Sequence, residues 1–261
     1  MSEPETHILV ENLSLSFGDM LVQQDLNFSI NRGEIFVIMG GSGCGKSTLM
    51  KAMIGLKRPS CGEVFLDGEP VWGVSKGEGG SRGGEGESNR LARKYGTLFQ
   101  SGALWSSMTL AENVTLALKQ FTDLSDARVR EIAEYKLMLV GLAGFEDFYP
   151  SEISGGMKKR AGLARAMALD PEILFCDEPS AGLDPLSAKR LDDLMLQLRD
   201  SLNTTFVIVT HELDSIFSIA DRALFLDAES KTQLGVGSPD ELRHDHPSAR
   251  VRAFMNRGEV S

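Results

Sequence analysis

Apolar residues fall into two rhythms along this chain. In the first thirty residues they alternate with polar ones: "HILVENLSLSF" and "DLNFSINRGE" have the pattern of half-exposed antiparallel strands, and "NRG" at 31–33 supplies a turn. Further on the alternation gives way to short continuous runs, "IFVIMG" (35–40), "ILFCDE" (173–178), "FVIVTH" (206–211) and "ALFLD" (223–227). Such runs suit strands buried on both faces of a parallel sheet. Helical spacing lies between them. It predicts a helix at 48–56 and another over "LSAKRLDDLMLQLRDSL" (186–202), where Leu191, Leu194, Met195 and Leu198 recur at three- and four-residue steps.

Between about 101 and 155 the pattern turns helical, "SMTLAENVTLALKQF" and then "SDARVREIAEYKLMLVGLAG", with Ser125 as N-cap and Gly141 as stop. The expected fold class is α/β: an N-terminal antiparallel β-subdomain, a mostly parallel core sheet and an inserted helical subdomain. We read 1–261 as one domain, with core at 1–100 and 160–230, helical subdomain at 101–159 and a terminal helix and tail at 231–261. The glycine-rich "SKGEGGSRGGEGESN" at 75–89 is too polar for a core and reads as a mobile surface loop.

Composition narrows the function classes. The longest apolar runs are far short of the roughly 20 residues a spanning helix needs, and "MSEPETHILV" lacks the features of a signal peptide, so a cytoplasmic chain is expected. A net charge of −10 argues against a general nucleic-acid-binding surface. Cys44, Cys61 and Cys176 are scattered without metal-ligand spacing. They read as reduced thiols, and only Cys44 lies where modification would block a nucleotide.

Chemistry enters at 40–48, "GGSGCGKST". Gly40, Gly45, Lys46 and Ser47 match G-x-x-x-x-G-K-[ST], and they lie after a buried run and before a helical one. Glycines let backbone N–H groups wrap phosphates while the helix N-terminus adds partial positive charge. Lys46 would hold the β- and γ-phosphates, and Ser47 would ligate Mg²⁺. A second apolar run ends in Asp177 and Glu178, where a carboxylate can reach the magnesium shell and its neighbour can point at an attacking water. His211 closes a third. "SEISGGMKKR" at 151–160 offers a second glycine-bearing helix start, with Ser154, Gly155 and Gly156 followed by the cations Lys158, Lys159 and Arg160.

These residues together resemble an ATP-binding-cassette ATPase over nearly the whole chain. The family's motifs come in order: an aromatic (Phe17), the Walker A loop, a Q-loop glutamine (Gln100), the signature loop (154–158), Walker B with its glutamate (173–178), a D-loop "SAGLD" ending at Asp184, and the switch histidine His211. The resemblance implies that Phe17 stacks on adenine and that Gly40, Gly41, Ser42, Gly43, Cys44, Gly45, Lys46, Ser47 and Thr48 cradle the phosphates of ATP. It implies that Ser47, Gln100 and Asp177 attend Mg²⁺, that Glu178 is general base, and that His211 holds the γ-phosphate. Two cassettes of this family pair head to tail. Ser154, Gly155 and Gly156 of one would then close over the γ-phosphate held by the other, with Asp184 beside it.

Met157 stands where the family usually has glutamine. With "FQSGALWSSMTLAENV" (99–114) and "SGGMKKRAGLARAMALDPEILFCDEPSAGLDP", it makes the chain resemble the ATPases of Mce/Mla-type phospholipid (toluene-tolerance) transporters. That resemblance implies a homodimer on the cytoplasmic face of the inner membrane, an integral-membrane permease, an Mce-domain protein and a STAS-domain protein. Leu104, Trp105 and Met108 are expected either to receive the permease or to fill the subdomain core. The alternatives are an ATPase of a polar amino-acid importer, whose relatives usually keep the glutamine, and a non-transport cassette ATPase. A chromosome-structure enzyme of that last class would need a long coiled coil, and no sustained heptads follow the Walker A loop.

Overall fold

The computed structural model describes residues 5–72 and 93–257, so the stretch at 75–89 lies outside the described residues. In chain order the elements are β1 (Thr6–Phe17), β2 (Met20–Asn31), β3 (Ile35–Gly40), α1 (Lys46–Met53), β4 (Cys61–Leu66) and β5 (Glu69–Pro70). There follow β6 (Tyr95–Leu98), α2 (Leu110–Phe121), α3 (Asp126–Leu139), a 3₁₀ turn (Pro150–Glu152), α4 (Gly155–Ala166), β7 (Ile173–Asp177) and α5 (Pro185–Leu202). The chain ends with β8 (Thr205–Val209), α6 (Leu213–Ile219), β9 (Arg222–Leu226), β10 (Gln233–Gly237), α7 (Pro239–His244) and α8 (Ala249–Met255). The chain divides into two compact units, Met1–Gly83 with Thr205–Ser261, and Gly84–Thr204.

The first unit carries both strand rhythms. β1 and β2 pair antiparallel, β4 joins β1 on its other side, and β5 follows β4. The alternation buries Ile8, Val10, Leu13 and Leu15 on one face of β1, and the change of phase between Val10 and Leu13 falls at a register shift where Asn12 takes a φ of 49°. β3, by contrast, is buried at every position, with β8 and β9 parallel to it on either side and β10 antiparallel on β9. Each of its large side chains contributes about 1.5–3 kcal/mol by leaving water. Phe28 of β2 stacks on Phe36 of β3 at 5.6 Å, joining the two sheets of this unit. The expected single terminal helix is two: the chain leaves α7 at Asp245 and re-enters helix after Pro247, which cannot continue a helix hydrogen-bond ladder.

In the second unit β6 and β7 pair in parallel, with Tyr95 edge-on to Phe175. α2 begins later than its apolar pattern suggests, at Leu110, because Thr109 and Glu112 form a reciprocal capping box. α3 is capped by Ser125, whose Oγ accepts from the Arg128 amide, and Gly141, at φ 69°, follows its end. α5 runs for 18 residues from the N-cap Asp184. Among the described residues no helix is long and apolar enough to cross a membrane.

Candidate functional site

The first unit holds Phe17, residues 40–48 and His211, and the second holds Gln100, Ser154 to Gly156, Asp177, Glu178 and Asp184. At the end of β3, Gly40 has φ 144°, and a Cβ there would lie 2.3 Å from the carbonyl oxygen of Leu226 in β9. Only glycine lets the loop leave the sheet at this point. A Cβ at Gly41 or Gly43 would meet nothing within 4 Å, and Gly41, Ser42 and Gly43 are all exposed. The loop thus has one packed side and one open side.

α1 starts at Lys46, two residues earlier than the expected 48–56. Gly45 caps it at φ 100° with no side-chain hydrogen bond. The opening amides of the helix are therefore not taken up by a capping side chain, as a phosphate cradle requires. Lys46 Nζ donates to the carbonyls of Gly40 (2.9 Å) and Gly41 (3.1 Å), which holds its ammonium over the loop. Ser47 and Thr48 occupy the first turn of α1, half-buried.

The packed side is anchored by a residue that pattern alone does not single out. Gln23, buried in β2, donates through Nε2 to the carbonyls of Cys44 (2.7 Å) and Asp227 (3.0 Å). Burial opposes the charge on the Asp227 carboxylate, but bonds from the Ser230 amide and hydroxyl and from Arg250 outweigh it and hold the group below the usual range. Cys44 is buried beneath the loop, and desolvation pushes its thiol up. That favours the protonated, unreactive thiol, so modification of Cys44 is disfavoured.

Phe17 is 53% exposed. Lys57, which the sequence did not flag, lies over its ring at 3.7 Å from the centroid while donating to the Ser16 carbonyl at 2.8 Å. A cation over one π-face fixes the ring and leaves the other for stacking. His211 is exposed and follows the end of β8 by two residues rather than closing the strand.

In the second unit β7 ends at Asp177, and Glu178 follows at φ 46°. The left-handed backbone there costs about 1–3 kcal/mol and turns the chain sharply between the two carboxylates. Ser154 is the N-cap of α4, its Oγ accepting from the Met157 amide at 3.3 Å. Gly155 and Gly156 lie against Leu183 and Ser187, so the signature and D-loop stretches meet in this unit. Asp184 accepts from the amides of Leu186 (3.1 Å) and Ser187 (3.0 Å), and hydrogen bonds from Ser187 lower its pKa.

The basic run after these glycines does more than place positive charge near the loop. Lys159 is buried and donates to the carbonyls of Gln100 and Glu178. Arg160 donates to those of Val140 and Gly141. Two of the three cations thus brace backbone within their own unit. Elsewhere in this unit a cavity of about 490 Å³ is lined by Tyr95, Phe99, Trp105, Met108, Leu116 and Phe121 among others. Trp105 is 60% exposed. Leu104 is not among the lining residues.

The first unit's residues fit the phosphates of a nucleotide: an open glycine cradle at a helix start with a lysine over it and, at Ser47, a hydroxyl of the hard-oxygen kind Mg²⁺ takes. Comparison with known proteins agrees. The ABC transporter family model matches residues 23–181. The chain is 38% identical over 249 residues, 95% of its length, to the "Probable ribonucleotide transport ATP-binding protein mkl" of Mycobacterium leprae, of which it spans 68%. It spans 66% of the Mycobacterium tuberculosis counterpart. It is 37% identical over 97% of its length to the "Intermembrane phospholipid transport system ATP-binding protein MlaF" of Haemophilus influenzae, covering 90% of that protein. Among solved structures, cbiO1 of Clostridium perfringens, part of the ABC transporter complex cbiONQ, superposes with a TM-score of 0.80 at 27% identity, covering 91% of this chain and 90% of that one. The dimeric post-hydrolysis structure of the ATP-binding cassette MJ0796 with ADP and Pi gives 0.76 at 26% identity, covering 88% and 98%. This chain belongs to the ABC transporter family, as one of its ATP-binding cassettes.

Proposed function

We propose that the chain binds and hydrolyses ATP to drive phospholipid transport across or from the inner membrane. The observation that carries the ATPase reading is the phosphate loop: a glycine at the sheet edge, Gly40, that no other residue can replace, a helix start with no capping side chain, and Lys46 held over the loop. Lys46 would hold the β- and γ-phosphates, Phe17 would stack on adenine, and His211 would hold the γ-phosphate. Ser47, Gln100 and Asp177 would attend Mg²⁺, which when bound neutralises charge on the phosphate oxygens. Glu178 would accept a proton from the attacking water or orient it. Such a site works by positioning and charge stabilisation more than by covalent chemistry.

The chain would act as a head-to-tail homodimer, Ser154, Gly155, Gly156 and Asp184 of one copy facing the nucleotide of the other, a reading supported by the dimeric cassette among its structural relatives. Glu178→Gln tests the chemistry: ATP binding is kept, an ATP-bound dimer accumulates, and turnover falls at least about a hundredfold. Near-normal turnover would remove Glu178 from the role.

The lipid reading is supported by the phospholipid-transport relative at 37% identity and by Met157 in the signature loop. The mycobacterial name favours ribonucleotides instead. The cavity that includes Trp105 and Met108 is an apolar groove suited to a permease helix at the cytoplasmic face. Purification of the transporter from detergent-solubilised membranes is expected to yield a permease together with an Mce-domain protein, with or without a STAS-domain protein. Recovery of a periplasmic solute-binding protein in their place would overturn the lipid reading and leave the ATPase reading standing.

A further inference from the structure

The second unit contains one buried cation that touches two of the motifs at once. Lys159 lies in the second turn of α4, is 7% exposed, and donates to the Gln100 carbonyl and, at 3.2 Å, to the Glu178 carbonyl. The surrounding packing leaves α4 little freedom against the Gln100 segment. A Cβ at Gly162 would come within 2.9 Å of the Gly102 carbonyl, and Arg165 donates to the Ala103 carbonyl. Glu178 itself holds a left-handed backbone at φ 46°, a conformation that persists only where its surroundings impose it.

We propose that Lys159 is a positioning residue for ATP hydrolysis, its buried ammonium fixing the backbone of both Gln100 and Glu178 to the helix that begins at Ser154. The inference rests on the roles given above to Gln100, Glu178 and Ser154. An ammonium offers three donors on a flexible stem, so one side chain can serve two carbonyls that approach from different segments. A displacement of α4 when a phosphate seats on the Ser154 loop is then passed by two bonds to the residues that orient water. The basic run is thus a linkage as well as a source of charge.

The test uses the intact chain and reads kcat, KM for ATP and thermal stability. Lys159→Met keeps the length of the side chain and removes the donors. Its kcat is expected to fall about tenfold to a hundredfold with KM changed by less than about twofold, since small misplacements of reacting groups cost that much. Lys159→Gln, which keeps donor groups, is expected to recover most of the loss. In a Glu178→Gln background Lys159→Met is expected to cost less than it does in the wild-type chain. A folded Lys159→Met with wild-type kcat overturns the proposal. So does a loss shared equally by kcat, KM and stability that glutamine does not rescue, or an additive loss in the double variant. Should Lys159→Met fail to fold, Lys159→Leu, which also removes the donors, is read in the same cycle. A kcat loss that shrinks in the Glu178→Gln background supports the proposal, and no loss or an additive one overturns it. Wild-type chain without ATPase would sink the proposed function itself, and Glu178→Gln with full turnover would remove Glu178 from its role. An active Lys159→Met beside an inactive Glu178→Gln sinks only the linkage.

Discussion

Two glycine-bearing loops open two helices, and they are finished in opposite ways. At α1 the cap is Gly45, in left-handed conformation and without a side-chain hydrogen bond, and Lys46 bends back over the loop. At α4 the cap is Ser154, whose hydroxyl already accepts from the Met157 amide. The first loop is organised for an anion before one arrives. The second satisfies part of its own helix start, so a phosphate must compete with the serine for those amides. The competition is mild, because at 3.3 Å that bond is long for its type. Binding energy in this molecule should therefore reside in the 40–48 loop, with the 154–156 loop adding its share only once a nucleotide is held.

The sharpest break in that comparison comes from removing the lysine. Lys46→Ala is expected to weaken ATP binding about 10- to 100-fold, the loss of a charge-assisted contact to phosphate, measured by equilibrium binding to the isolated chain. A Ser154 variant should bind ATP nearly normally as a monomer. Mixing the two extends the test, because a head-to-tail dimer of one Lys46 variant and one Ser154 variant retains a single composite site with both loops intact. Recovered ATP cross-linking or turnover in the mixture supports the trans arrangement. A mixture no better than its parts would confine both loops to one chain.

The first loop was legible in the sequence and the second only half so, for a physical reason. The 40–48 loop announces itself because its glycines, its lysine and the buried "IFVIMG" before it are all local, and β3 lies where that run placed it. Ser125 as a cap and α5 from its periodic leucines were legible on the same ground. What escaped was set by partners far away in sequence. Lys159 meets a carbonyl 59 residues earlier, Gln23 one 204 residues later, and Lys57 a carbonyl 41 residues before it. In sequence each is an ordinary polar residue, and a basic run gives no sign of which of its members will be buried. β10 was missed because "QLGVG" is short and carries two glycines, which weaken a strand signal, its place being fixed by pairing with β9.

The smallest expected effect separates the two duties of Ser154. Ser154→Ala removes the cap of α4 and should cost about 1 kcal/mol of stability, read as a fall of a few degrees in the melting temperature without ATP. Ser154→Asp keeps the cap, since a carboxylate accepts the Met157 amide at least as well and suits the positive end of the helix. It also places a negative charge where the γ-phosphate of the partner copy would arrive. Aspartate should therefore restore the melting temperature that alanine loses while abolishing ATP-dependent dimerisation, seen by size-exclusion chromatography in the Glu178→Gln background that otherwise traps the dimer. If the aspartate variant dimerises with ATP as the serine does, Ser154 is a cap and nothing more, and the contrast between the loops reduces to one that binds phosphate and one that starts a helix.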